Sequence, residues 1–459
     1  MMSPMRDLLS FPDGFLWGTA TSSHQVEGDN CYNQWWKFEQ LPGAIWRGDR
    51  SGLACDWWRN AEQDFDRMQA LHLNAHRLSL EWSRIEPEPG RIDHRALDRY
   101  RAMLGGLRDR GIKPMVALHH FTNPRWFERA GGWEWAEAAP RFQAYVRAAV
   151  KALGDLCDFW LTMNEPIVYV MQGWVQGVWP PQKRNLAAAR RVWRHLLLGH
   201  AAAYQIIHAL QPHAQVGYAH AFHAFRGRSS RRPIHRYVAG VRDYFIDRLW
   251  LLCTVDGRLR PPLGLGEFHP TLAQSFDFVG INYYTSKIVQ FSPNPRLLFG
   301  ADYHPPVAEY SDRGRNGPYS LFYPYGLYGH CMELSALGKP LYITENGLPD
   351  ANDYLRPRWL LAHLYQIHRA IRAGCDVRGY FYWTLVDNFE WHEGWGLRFG
   401  LFALDPQTQA RAARPSAALY GAIAAANALT PAMVDAYDPA SAGVYFGDHP
   451  DTYQWLRVV

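Results

Sequence analysis

Short apolar runs alternate with amphipathic stretches along most of the chain. A strand covered on both faces is apolar at nearly every position, so these runs read as buried parallel strands. They fall at 15–20, 75–80, 114–119 and 159–163, then at 215–219, 278–282, 341–344 and 378–383. Between them apolar residues recur at helical spacing over 56–71, 94–109, 135–153, 186–209, 237–250, 326–337, 356–373 and 416–429. Parallel strands need crossover helices, and eight strands close around a filled interior. The pattern predicts an α/β fold: a single (β/α)8 TIM barrel over about residues 11–429, with a tail over 430–459. An open doubly wound sheet is the rival, but no Gly-x-Gly-x-x-Gly follows the first run, so its dinucleotide-binding form lacks support.

One stretch breaks the rhythm. Residues 288–325 are rich in Pro, Gly, Asn and Tyr and lie after the sixth run, where a barrel builds its C-terminal face. Their aromatic content predicts elaborated loops forming an ordered wall of a pocket. The 459 residues are 48% hydrophobic and 20% charged, and no apolar run reaches the length of a membrane span. The first ten residues lack the apolar core of a secretory signal, and the six cysteines form no Cys-x-x-Cys pair. A reducing cytoplasm is the expected home, with no structural zinc and no membrane partner. The net charge of +5 is spread along the chain, so no nucleic-acid partner is expected. Arg226, Arg228, Arg231, Arg232 and Arg236 are a local exception. No interleaved aromatic platform accompanies them, so they read as a solvated loop.

The predicted strand ends carry the candidate chemistry. His24, Gln25 and Glu27 follow the first run, Arg77 lies in the second, and His119-His120 closes the third. Asn164-Glu165 ends the fourth, Asn282-Tyr283-Tyr284 the sixth and Glu345 the seventh; Trp383, Asn388, Glu390 and Trp391 follow the eighth. In a barrel these ends meet at one mouth. Neighbouring strand residues face opposite sides, so only one of His119 and His120 can point inward, and no Cys or Asp completes a metal set. Two carboxyl groups across a mouth suit glycosidic cleavage, one protonating the leaving oxygen and the other attacking or stabilising the anomeric carbon. The gap between them decides retention or inversion, and sequence does not measure it. Arg77 beside Glu345 would hold it ionised, and that charge would keep Glu165 protonated.

These residues sit in motifs that resemble glycoside hydrolase family 1 from Phe11-Pro-Asp-Gly-Phe-Leu-Trp-Gly18 to about Leu429. The motifs are Ser23-His-Gln-Val-Glu-Gly28, His119-His120-Phe121, Thr162-Met-Asn-Glu-Pro166, Ile343-Thr-Glu-Asn-Gly347 and Asn388-Phe-Glu-Trp391. The resemblance implies a retaining β-glycosidase, foremost a β-glucosidase with β-galactosidase or β-fucosidase activity alongside, needing neither metal nor organic cofactor. Its partners would be β-linked glucosides or oligosaccharides. It assigns Glu165 as acid/base, Glu345 as nucleophile, and Arg77, Asn282 and Tyr284 as their catalytic neighbours. Gln25, His120, Asn164, Trp383, Glu390 and Trp391 become sugar contacts. Glu390 in place of a phosphate-accepting group disfavours a phospho-β-glycosidase, and Glu165 disfavours a thioglucosidase. A transglycosidase uses the same residues and stays open, as does a non-catalytic sugar binder, although a binder has no need of both carboxylates. His24 stands where an aromatic is commoner in the family, and Trp174 and Trp179 are candidates for the aglycone side or for packing.

Overall fold

The computed structural model describes residues 8–229, 231–306 and 308–446. Seven of the first ten residues and residues 447–459 of the tail therefore lie outside the described residues. Eight parallel strands form the centre: β1 (Leu16–Ala20), β2 (Ala75–Ser79), β3 (Lys113–Ala117), β4 (Phe159–Asn164), β5 (Gln215–Gly227), β6 (Phe278–Phe291), β7 (Leu341–Asn346) and β8 (Val377–Tyr382). Each pairs with its successor, and β8 pairs with β1, so the sheet closes into a barrel. The main crossover helices are α1 (Trp57–Ala70), α2 (His94–Asp109), α3 (Ala138–Leu153), α4 (Leu186–Leu210), α5 (Pro233–Asp243), α6 (Tyr325–Ser335), α7 (Arg356–Arg372) and α8 (Pro415–Ala426).

Each layer follows from the sequence pattern. In α3 the buried residues Phe142, Tyr145, Val146, Ala149, Val150 and Leu153 recur at helical spacing and make one stripe against the barrel. One apolar cluster draws side chains from all eight strands, including Ala20, Met115, Leu161, Phe278, Tyr342 and Phe381, and fills the interior below the mouth. The filling leaves no room at Gly217, where a Cβ would lie 2.8 Å from the Phe278 ring.

Three boundaries differ from the sequence expectation. β5 and β6 run on past 219 and 282, staying paired from Gly217↔Phe278 to Gly227↔Val289. His220, His223 and Arg226 interrupt the apolar pattern there, yet each has a partner. His220 Nε2 bonds the Ile246 carbonyl at 2.8 Å, the His223 amide donates to Asp247 at 3.0 Å, and Arg226 stacks on Tyr323. The 288–325 stretch is accordingly less irregular than expected: 288–291 belongs to β6, and Gly300–Tyr303 pairs antiparallel with it. Its start also positions α5, which begins at Pro233, a residue suited to a first helical turn, and continues through a π-helical turn, Tyr244–Arg248, into Leu249–Asp256. Finally, α8 stops before left-handed Asn427, and Ala428–Leu429 pairs with Leu9–Ser10. The Asn427 side chain accepts from Trp17 Nε1 at 2.9 Å, fastening this joint to β1.

Candidate active site

The C-terminal ends of the strands carry the site, and their ladders are irregular there. Register shifts occur between β4 and β5 after Leu161, between β6 and β7 after Ile343, and between β7 and β8 after Ile343. Such bulges turn side chains out of strict alternation and commonly border active sites. Glu165 shows a second device. Pro166 disfavours the right-handed helical region for the residue before it, and Glu165 takes left-handed angles (φ 43°, ψ 55°) with its amide bonded to the Ala219 carbonyl. A non-glycine residue held there costs on the order of 1–3 kcal/mol, and the turn breaks β4 so that the side chain meets Asn282.

A continuous polar network joins the predicted residues. Arg77, fully buried, donates through Nη1 to Glu345 and through Nη2 to Asn164 Oδ1 at 2.6 Å. The Tyr284 hydroxyl donates to the other Glu345 oxygen at 2.6 Å. Asn282 Nδ2 donates to Glu165 Oε1 at 2.9 Å and to Asn164 Oδ1 at 3.0 Å, while its Oδ1 accepts from Thr344 at 2.7 Å. Glu165 and Glu345 are thus linked through Arg77, Asn164 and Asn282, side chains from three strands.

Electrostatics separate the two acids. Burial, then the charge of Glu345, pushes the Glu165 carboxyl up to about 8, against the smaller opposing pull of Asn282 and Arg77. Burial and the Glu345 charge also raise the Tyr284 phenol well above its ordinary value, so it stays a donor.

A second group lies beside the first. Gln25 accepts from Ser22 Oγ at 2.7 Å and donates to Glu390 Oε2 at 2.9 Å and Asn388 Oδ1 at 3.1 Å. Burial pushes Glu390 up to about 8, with the nearby Glu345, Glu393 and Glu165 adding to it. Asn164 Nδ2 donates to His120 Nε2 at 2.9 Å, which makes Nδ1 the protonated nitrogen of that ring. Burial keeps His120 neutral by lowering its pKa well below the ordinary value. Trp383 lies 6.0 Å from His120, and the Trp391 ring runs nearly parallel to those of His24 at 5.8 Å and His120 at 6.0 Å. His119 instead turns into the core, bonding Asn123 at 3.0 Å and meeting the edge of Trp133, so only one of the adjacent pair faces the mouth. His120 Nδ1, His24 Nε2, Arg77 Nε and Asn388 Nδ2 are buried and have no hydrogen-bond partner among the described residues.

Glu27 turns away to bond Arg84 and Tyr100, whereas all eleven residues to which the resemblance gave a role fall in these two adjoining groups. Trp179 joins them, its ring 5.9 Å from Trp391 and its Nε1 donating to His392, whereas Trp174 packs on Tyr169 and bonds Glu134. The residue-level reading missed Tyr319. It comes from the 288–325 stretch and packs edge-on to Tyr284 and to Phe399. Expecting a wall there was the only signal; nothing separated this tyrosine from its aromatic neighbours.

Comparison with known proteins agrees with this arrangement. The model of Glycosyl hydrolase family 1 matches residues 8–260 and 265–429. Beta-glucosidase A of Thermotoga maritima is 30% identical over 450 residues, covering 91% of this chain and 98% of that protein. A beta-galactosidase of Sulfolobus acidocaldarius is 28% identical, covering 92% of this chain and 96% of its own length. Among solved structures, a beta-glycosidase from Pyrococcus horikoshii superposes with a TM-score of 0.86 at 37% identity, covering 94% of this chain and 98% of that one. The chain belongs to glycosyl hydrolase family 1.

Proposed function

We propose that the protein is a retaining β-glycosidase, foremost a β-glucosidase, that removes the terminal nonreducing sugar from β-linked glucosides or oligosaccharides. One observation carries the division of labour: Arg77 and Tyr284 both donate to Glu345, while Glu165 is buried without a cation on its own oxygens and is pushed up to about 8. Glu345 attacks the anomeric carbon as Glu165 gives its proton to the leaving oxygen. Glu165 then takes a proton from the incoming water, which releases the sugar with its anomeric configuration kept. Asn282 holds Glu165 in place, and Asn164 ties both acids to His120. The unpartnered donors at His120 Nδ1 and Asn388 Nδ2 suit sugar hydroxyls, as does Glu390 oriented by Gln25. Trp383 and Trp391 offer flat apolar faces to the sugar ring.

A beta-galactosidase among the relatives supports some tolerance of the epimer, through the same hydroxyl contacts. Cytoplasmic residence is part of the proposal; the six cysteines are all free thiols. Hydrolysis of a panel of aryl β-glycosides, with proton NMR following the first anomer released, tests this reading. Release of the β-anomer, abolished in Glu345→Ala, is expected. Sugar binding without turnover would move the protein to the binding class.

A further inference from the structure

The run of arginines that starts at the end of β5 reads from the sequence as a solvated loop, because no interleaved aromatic platform accompanies it. The fold adds Phe291 and Phe299 from elsewhere to the neighbouring Tyr237. The Phe291 amide donates to His235 Nδ1 at 2.9 Å, which sets the end of β6 beside the first turn of α5. Phe299 follows, its carbonyl accepting from Ser292 at 2.9 Å, and Gly227 packs against the backbone of Arg236. The result is one corner with large apolar side chains turned outward: Tyr237 is 70% exposed, Phe299 47%, Phe291 46% and Ile234 44%. Scattered exposed apolar residues need no explanation, but several in one place do.

The same corner is basic. Arg228, Arg231, Arg232 and Arg236 are exposed, and none has a carboxylate partner among the described residues; Arg228 bonds Gln290 and covers the Tyr303 ring. The acids nearby are already engaged, Asp302 by Arg242 and Lys287, and Asp243 by Arg248. β5 and β6 reach this corner by running on past Asn282 and Tyr284, so it stands at the same end of the barrel as the mouth.

We infer that this corner docks the protein on an anionic lipid surface, with guanidiniums on the headgroup phosphates and the exposed aromatic and aliphatic side chains in the interfacial layer. Guanidiniums interleaved with aromatic side chains match that interface in charge and polarity. A two-fold contact with a second copy would set these arginines against one another, which disfavours self-association. A nucleic acid would satisfy the arginines and leave Ile234 without a role. The docking is peripheral, since among the described residues no helix is long and apolar enough to cross a membrane.

The test is cosedimentation of the full chain with vesicles of phosphatidylcholine mixed with phosphatidylglycerol, against phosphatidylcholine alone. Binding to the anionic vesicles, weakened by salt, is expected. The triple variant Arg231→Glu/Arg232→Glu/Arg236→Glu should lower it by about tenfold or more. Its hydrolysis of a soluble aryl β-glucoside should stay unchanged, which shows that it folds. Phe291→Ser/Phe299→Ser should remove the binding that survives at high salt. Failure to sediment with anionic vesicles, or equal binding by the triple variant, overturns the proposal. So does a dimer seen by light scattering that the double serine variant dissolves.

Discussion

Glu165 and Glu345 have the same side chain in different surroundings. Glu345 receives a guanidinium and a phenol, while Glu165 receives one amide and lies in a buried place beside a negative neighbour. If Glu165 is the acid, its removal matters most where the leaving group needs a proton. Glu165→Ala should slow hydrolysis of alkyl β-glucosides by roughly 10²–10⁴-fold and spare the first chemical step on strongly activated aryl glucosides. In the wild type, kcat/KM on the unactivated substrates should fall as pH rises through about 8, where Glu165 loses its proton. Glu165→Gln should lack that alkaline limb. Equal losses on both substrate classes would count against the acid role. At this scale the sequence was most legible, because the motifs put the reacting types at strand ends. Tyr319 was not, since its place beside Tyr284 depends on how 288–325 folds back over the mouth.

Among the elements, apolar runs located every barrel strand but not its length, because His220, His223 and Arg226 look like a strand's end until their partners are seen. The joints between elements were equally silent. Arg356, at the start of α7, is fully buried and forms an ion pair with Asp353. Asp353 also accepts from the Ser416 amide and hydroxyl, both at 2.7 Å, at the start of α8. Arg356 Nη2 reaches the carbonyls of Asp350 at 2.6 Å and Arg398 at 2.9 Å, tying both helices to the segment after β8. One carboxylate therefore serves two helix starts and a buried cation. Asp353→Ala leaves that cation without its partner carboxylate, which typically costs about 3–5 kcal/mol. The denaturant midpoint should drop accordingly, with turnover per folded molecule little changed. A shift below about 1 kcal/mol would mean that the guanidinium finds another partner or water.

For the whole molecule, eightfold alternation made the barrel legible, whereas the basic aromatic corner was hidden because Phe291 and Phe299 lie far in sequence from the arginines and Tyr237. Equally hidden was how many ionisable groups the barrel and its helices enclose. Burial drives the imidazoles of His24, His76, His200 and His363 down to about 3, and those of His119, His220, His330 and His392 to about 4. It drives carboxyls the other way, Glu39 and Glu128 up to about 7 and Glu165 and Glu390 to about 8. Below pH 6.5 the unfolded chain binds protons that these folded imidazoles refuse, so stability falls as pH drops toward 3–4. Between pH 4.5 and about 8 the folded carboxyls keep protons that the unfolded chain has lost, so their contribution falls as pH rises. Burial also lowers His120, His223 and His368 and raises Glu27, Glu86, Asp247 and Glu393; where the windows overlap, the lowered imidazoles still outnumber the raised carboxyls, and stability climbs with pH. Above 6.5 only the carboxyl effect remains. The thermal midpoint measured from pH 4 to 9 should therefore peak near 6.5 and decline toward 8. Glu390→Gln, which removes one carboxyl that must ionise in a buried place, should flatten the decline and stabilise the protein most at the alkaline end. A midpoint still rising between pH 7 and 8 would mean that these carboxyls ionise in the folded state as readily as in water.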